Sequence, residues 1–214
     1  MNILMGKSIT AKYENCVEVS IQDMFDLANN NDLKDLTLKC KNEPDKAKRR
    51  NVKLTMPVFY PCIDTTRREN KITNGVFQFD LDLEDNEETD FLTLRQQLEQ
   101  QAYVLYVMQS PSGGLKFAVQ TNFHEVVGQD TLNCKQAYKV AHRLVTKFVQ
   151  KECGYFTNDP SVEKTSQSCF LAYDPETFVN RNVAPYVFNE QLRDIGKIQL
   201  QPNLINDEPS QSNS

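Results

Sequence analysis

Two apolar runs constrain the fold most. "YVLYVMQ", Tyr103 to Gln109, and "LKFAVQT", Leu115 to Thr121, are joined by "SPSGG". Two strand-like runs with a short Gly-containing connection predict a β-hairpin. A third run, "GVFQFDLDLEDN" from Gly75 to Asn86, reads as a strand by composition. Between it and the hairpin, "FLTLRQQLEQQ" predicts a helix capped by Asp90 or Thr89. The central order is therefore strand, helix, strand, strand.

The flanks extend this pattern. Ala137, Val140, Ala141, Leu144, Val145 and Phe148 recur at helical spacing, and Gly154 suits the position just past a helix end. "SCFLAY" predicts a further strand, closed by Asp174 and Pro175. Towards the N-terminus, "CVEVSIQ" alternates like a strand and "SIQDMFDLANNN" predicts a helix capped by Ser20. Residues 41–52 are so charged that they read as a loop. "KLTMPVFYPCI" reads as extended, with Pro57 and Pro61 restricting it to an edge or an irregular path. The fold class is α+β: a mixed β-sheet with flanking helices, one domain over residues 1–202, and a disordered polar tail over 203–214.

Composition excludes several classes. With 12 Phe and 8 Tyr in 214 residues, a substantial core is available. No apolar run is long enough to span a membrane, and the N-terminus lacks the apolar stretch of a secretory signal. The expectation is a soluble, cytoplasmic protein. Six cysteines occur without C-x-x-C spacing, so they read as reduced structural thiols. The net charge of −5 argues against a wholly basic surface, yet charge is segregated. Lys34 to Lys53 holds eight bases against three acids, and Asp80 to Asp90 holds seven acids and no base.

Three segments carry candidate chemistry. Asp80 and Asp82 stand two apart on a predicted strand, so both side chains share a face, with Phe79, Leu81 and Leu83 on the other. Two carboxylates on one face suit a hard divalent ion such as Mg²⁺ or Mn²⁺; ordinary exposed strand acids give the same pattern. In "SPSGGLK", small residues let backbone amides approach a phosphate, and Lys116 adds a charge; a plain hairpin turn would use the same glycines. "CFLAYDPE" delivers Asp174 at a strand end, as a third carboxylate or as the start of an Asp-Pro turn.

Taken in order, "GVFQFDLDLEDN", "YVMQSPSGGLKFAV" and "CFLAYDPETFVN" resemble the motifs of the archaeo-eukaryotic primase (primase-polymerase) superfamily, and more narrowly its VirE N-terminal-type domains. These segments and their spacing cover about half of the chain. The resemblance implies a primase-polymerase catalytic core with an RRM-like unit. It also implies DNA-templated nucleotidyl transfer with two divalent ions, Mg²⁺ or Mn²⁺, held by Asp80, Asp82 and Asp174. The nucleotide would be gripped by Ser110, Ser112, Gly113, Gly114 and Lys116. Lys46, Lys48, Arg49, Arg50, Arg67 and Arg68 are candidate nucleic-acid contacts. The implied partners are a single-stranded DNA template, nucleoside triphosphates and a separate replicative helicase, in replication of a mobile element, phage or plasmid. No membrane partner is implied.

Two residues depart from the family pattern. Lys116 stands where many primases have His, and Gln167 where relatives carry an Arg before the last strand; Lys164 is a candidate substitute. Gln167 motivates the alternative of a weakly active or inactive module that binds single-stranded nucleic acid. A metal-dependent nuclease using the same acids is a further alternative.

Overall fold

The computed structural model of the chain describes residues 1–9, 15–63, 73–123, 125 and 131–188. Arg67, Arg68 and the expected tail over 203–214 lie outside them. Among the described residues, two four-stranded sheets form the frame. The first contains β1 (Asn2–Gly6), β2 (Val17–Ser20), β3 (Val58–Tyr60) and β7 (Cys169–Phe170), in the order β2-β1-β3-β7. The second contains β4 (Val76–Leu81), β5 (Val104–Gln109), β6 (Leu115–Gln120) and β8 (Phe178–Val179), in the order β4-β6-β5-β8. All pairings within these strands are antiparallel. The α+β class holds, but two antiparallel sheets stand where one mixed sheet was expected. The reason is topological: β6 folds back between β4 and β5, so these two parallel strands never pair.

Five α-helices lie among the described residues: α1 (Ile21–Ala28), α2 (Asn31–Asn42), α3 (Lys46–Leu54), α4 (Phe91–Glu99) and α5 (Thr131–Cys153). Period-two alternation assigns the two faces of β4. Phe77, Phe79 and Leu81 join Leu115, Phe117 and Val119 of β6 in a core with α4 and α5. Phe79 and Phe117 stack with ring centres 4.4 Å apart, and Phe77 stacks on Tyr138 of α5 at 4.4 Å. The other face of this sheet, through Val76, Tyr106, Met108 and Ala118, packs on Ile3 and Phe59 of the first sheet and on Met24 and Phe25 of α1. Asp80 and Lys116 belong to that inner face, which places a charged pair where two sheets meet.

Local signals are met where caps and periodicity agree. The Ser20 side chain accepts the Asp23 N–H to start α1, and Asp90 accepts from Leu92 and Thr93 to start α4. Gly154 follows α5 with φ +103°, a conformation that favours glycine. Cys40, Cys62, Cys153 and Cys169 are free thiols and buried, and burial pushes the Cys62 and Cys169 thiols up to about 12. No helix among the described residues is long and apolar enough to cross a membrane.

Four expectations are corrected. Residues 41–52 are not a loop: they end α2 and build most of α3, which Asp45 caps by accepting the Lys48 N–H. No α3 residue is buried, so the helix has no apolar stripe to betray it. β3 is interior, because its flanking prolines lie outside the three paired residues. β7 ends at Phe170, so Asp174 follows it in irregular chain. Leu83 is 45% exposed, because β4 ends at Leu81.

Candidate functional site

The register of β4 and β6 sets Asp80 opposite Lys116. The Lys116 ammonium donates to Asp80 Oδ2, and the two side chains are 6% and 21% exposed respectively. Burial opposes the charge on Lys116, but the Asp80 carboxylate beside it outweighs this and holds the ammonium above the ordinary lysine range. Asp80 Oδ1 is buried and has no hydrogen-bond partner among the described residues. Asp82 is half-buried just past the strand. Burial, and then the neighbouring Asp80 charge, push its carboxyl above the usual carboxylate range.

A clamp holds this acidic turn against the chain that follows α5. Asn86 donates to the Asp82 carbonyl at 2.8 Å and the Thr157 carbonyl at 2.9 Å, and accepts the Thr157 N–H at 2.6 Å. Asn158 Oδ1 accepts the Asp80 N–H, and the Asp159 N–H donates to the Asp80 carbonyl, each at 2.9 Å. Asp159 thereby enters the site. Its carboxylate caps the short 3-10 helix Pro160–Val162 and accepts from the Ser161 N–H and hydroxyl.

These groups line a cavity of about 200 Å³, with Asp80, Asp82, Asp159, Lys53, Lys116 and Gln167 on its walls together with Ser110 and Ser112. A second cavity, of about 650 Å³, shares Lys53, Asp82 and Ser112 with it. Leu83, Glu84 and α3 complete its wall. Lys46, Arg49, Arg50 and Lys53 are spaced i, i+3, i+4, i+7, so they form one face of the helix, towards Asp82 and Glu84. Lys46 and Arg49 pair with Glu84 at 3.3 and 3.2 Å. Lys48 is exposed and lies off that face.

The hairpin turn sits between acids and bases. Lys53 Nζ donates to Ser112 Oγ at 3.2 Å, and the Ser110 and Ser112 hydroxyls are 3.3 Å apart. Gly113 has φ +96°, and a Cβ on Gly114 would press directly on the Leu81 carbonyl oxygen, so the turn crosses the end of β4 with no room for a side chain. The Gly113 N–H is already donated to the Ser110 carbonyl at 2.9 Å, so its amide is not open to a phosphate as expected.

Asp174 does not join the acid pair. Its Oδ2 accepts from the Gln109 N–H at 2.8 Å and from Arg95 at 3.2 Å, and Oδ1 accepts from the Glu176 N–H at 3.1 Å. β6 lies between β4 and β5, which puts the strand it binds roughly 10 Å from the strand of Asp80. Arg95 also binds Glu99 and the Glu176 carbonyl, so Asp174 closes a structural latch between α4, β5 and the following chain. The expected cluster of three aspartates is thus corrected: among the described residues no three His, Cys, Asp or Glu side chains are grouped to hold a metal. Lys164 lines a separate cavity and does not stand in for the missing arginine.

The acid pair itself fits a hard cation. One buried Asp80 oxygen lacks a partner, and the raised Asp82 carboxyl is what an added positive charge would relieve. Mg²⁺ commonly takes one or two carboxylates and completes its shell with water and phosphate oxygens. Sequence reasoning missed Asp159 and Asn86. Both act from irregular chain, where no period marks an inward-facing residue; the cap pattern Asp159-Pro160-Ser161 was the available signal.

The sequence model of a protein family, described as BT4734-like, N-terminal domain, matches residues 51–178, well over half of the chain. No curated protein and no solved structure matches it.

Proposed function

The chain belongs to the BT4734-like N-terminal domain family, and for this member we propose DNA-templated nucleotidyl transfer of the primase or primase-polymerase kind, dependent on Mg²⁺ or Mn²⁺. One observation carries the reading: an acid pair suited to a divalent ion faces a basic helix across adjoining cavities. Polyphosphate and metal are the two ligands that such a pairing of charges accommodates together. The split β4-α4-β5 unit with β6 inserted is the order that an RRM-like unit has in its first strands, and supports the reading.

Asp80 and Asp82 hold the metal in this proposal. A bound divalent ion supplies Lewis-acid stabilisation of phosphoryl oxygens and favours the deprotonated attacking hydroxyl. Lys53, Arg49 and Arg50 bind the triphosphate or template phosphates, and Ser110 and Ser112 orient them through their hydroxyls. Lys116 balances the charge of Asp80 and fixes its carboxylate. Asp159 is a third acid on the cavity wall, with its carboxylate engaged by Ser161 and not grouped with the pair as a metal ligand. The resemblance to VirE N-terminal-type domains favours a role in replication of a mobile element, phage or plasmid, beside a separate helicase.

The test is synthesis. With Mn²⁺ or Mg²⁺, single-stranded DNA and labelled nucleotides, the protein makes short oligomers, and the Asp80→Asn/Asp82→Asn double variant makes none and loses Mn²⁺ binding by electron paramagnetic resonance. Undiminished synthesis by that variant overturns the site. A second reading, a nucleic-acid-binding module without chemistry, draws on the Lys116–Asp80 pair, the diversion of Asp174 and Gln167. It requires oligonucleotide binding with no incorporation and no response to the aspartate changes.

A further inference from the structure

Helix α5 carries Lys139, Arg143, Lys147 and Lys151 at intervals of four residues, and all four are exposed. Residues four apart lie on one ridge of a helix, here with about 6 Å of rise per step and about 18 Å in all. Its opposite face is spent on the core through Ala137, Ala141, Val145 and Val149. This ridge is continuous with a cavity of about 410 Å³ that Lys139, Arg143 and Lys164 line with Glu163, Thr165 and Ser166. Glu163 is 14% exposed on its side chain and meets Arg143 Nε at 3.1 Å and Lys139 Nζ at 3.7 Å. One acid among three bases leaves positive charge in excess and fixes two of the bases in place. The Arg143 terminal amino groups take no part in that pairing.

We propose that this ridge and its cavity form a second nucleic-acid site, which binds the phosphodiester backbone of a single strand beyond the acid pair. The inference rests on the nucleic-acid reading above for its class of ligand. The step between successive bases is comparable to the separation of neighbouring phosphates along an extended single strand, which an isolated anion or a triphosphate cannot exploit over the whole ridge. The site also adjoins the first one. The Asp159–Ser168 segment turns Asp159, Ser161 and Gln167 to the acid-pair cavity and Glu163, Lys164 and Ser166 to the α5 cavity. A strand leaving one cavity therefore meets the other across a single segment of chain. In a protein of net charge −5, a row of bases unbroken by an acid along its ridge marks a place for a polyanion.

The experiment is fluorescence anisotropy of oligo(dT) of 6 and 20 nucleotides on the full chain, without metal or nucleotide, across a salt series. Arg143→Gln/Lys147→Gln/Lys151→Gln changes only exposed side chains, and circular dichroism and thermal melting verify its fold. The 20-mer is expected to bind at least tenfold more weakly, with a salt slope reduced by about 2, as loss of three phosphate contacts requires; the 6-mer changes less. A 20-mer affinity and slope within twofold of wild type overturn the inference. So does a poly-glutamate of similar length that binds as tightly and is as sensitive to the variant, which makes the ridge an acidic-peptide site. A wild-type protein that makes no oligomers but binds the 20-mer through α5 sinks the proposed transferase and keeps this site. Oligomer synthesis with an α5 variant of unchanged affinity does the reverse.

Discussion

Asp80 and Lys116 face each other across β4 and β6, and the lysine ammonium rests on one oxygen of the carboxylate while the other oxygen has no partner. The pair sits on the inner face of its sheet, against the first sheet, where an unpaired charge is costly. Lys116→Met should therefore destabilise the fold by about 3 kcal/mol, because it strands a largely buried carboxylate. Adding Asp80→Asn should recover most of that loss. Denaturant titration of the two singles and the double measures the coupling; a double variant no more stable than Lys116→Met refutes the charge argument.

Asp82 carries a carboxyl that burial and Asp80 push upward, so its charge disfavours folding at neutral pH. Asp82→Asn should raise the melting temperature by roughly 1–2 °C, since relief of an active-site charge often stabilises and half-burial keeps the gain small. Mn²⁺ should raise the wild-type melting temperature and leave that of Asp82→Asn unchanged. Thermal melts with and without the ion decide both points. An equal metal response in the two proteins would exclude Asp82 as a ligand.

Asp174 and Arg95 form a latch away from the acid pair. Arg95→Ala should cost about 3 kcal/mol, because the buried Asp174 carboxylate loses its cation and keeps only the Gln109 and Glu176 N–H donors. Asp174→Asn should lose stability too, yet bind Mn²⁺ within about twofold of wild type, whereas Asp80→Asn should lose it. Paramagnetic resonance titration of the three proteins reads this directly. Loss of the ion in Asp174→Asn would return that residue to the metal site.

His142 is buried in α5 and donates from Nε2 to the Gln78 carbonyl at 2.8 Å. Burial lowers its pKa, against a smaller opposing effect of that hydrogen bond. An unfolded imidazole takes up its proton near pH 6.5, and the folded one only at lower pH. Below about 6.5 the unfolded state thus binds more protons, and stability falls with pH until the folded ring is also protonated. His142→Gln should flatten this component between pH 7.5 and 5. Identical slopes for the variant and wild type would show that another group carries the pH dependence.

Much of the frame was legible because its signals are local. The hairpin, the Ser20 and Asp90 caps, the α5 period and the alternation of Phe77, Phe79 and Leu81 each follow from neighbours within a few residues. Helix α3 was not, because a helix that buries nothing needs no apolar stripe. The site divides the same way. Asp80 and Asp82 were paired by a two-residue period, and they do line one cavity although Asp82 lies just past the end of β4. The ridge of α5 is present in the sequence as a spacing of four, but only the packed structure shows that all four bases stay outside beside a second cavity.

The chain order alone determined the β5-β6 hairpin and which neighbouring side chains share a face, because backbone geometry repeats every two or every 3.6 residues; which other strands pair was left to the tertiary structure. Only the tertiary structure decided which acids meet. Asp159 enters the cavity and Asp174 leaves it for Arg95 because both ride on irregular chain, whose path is set by packing and hydrogen bonds made by residues far away in sequence.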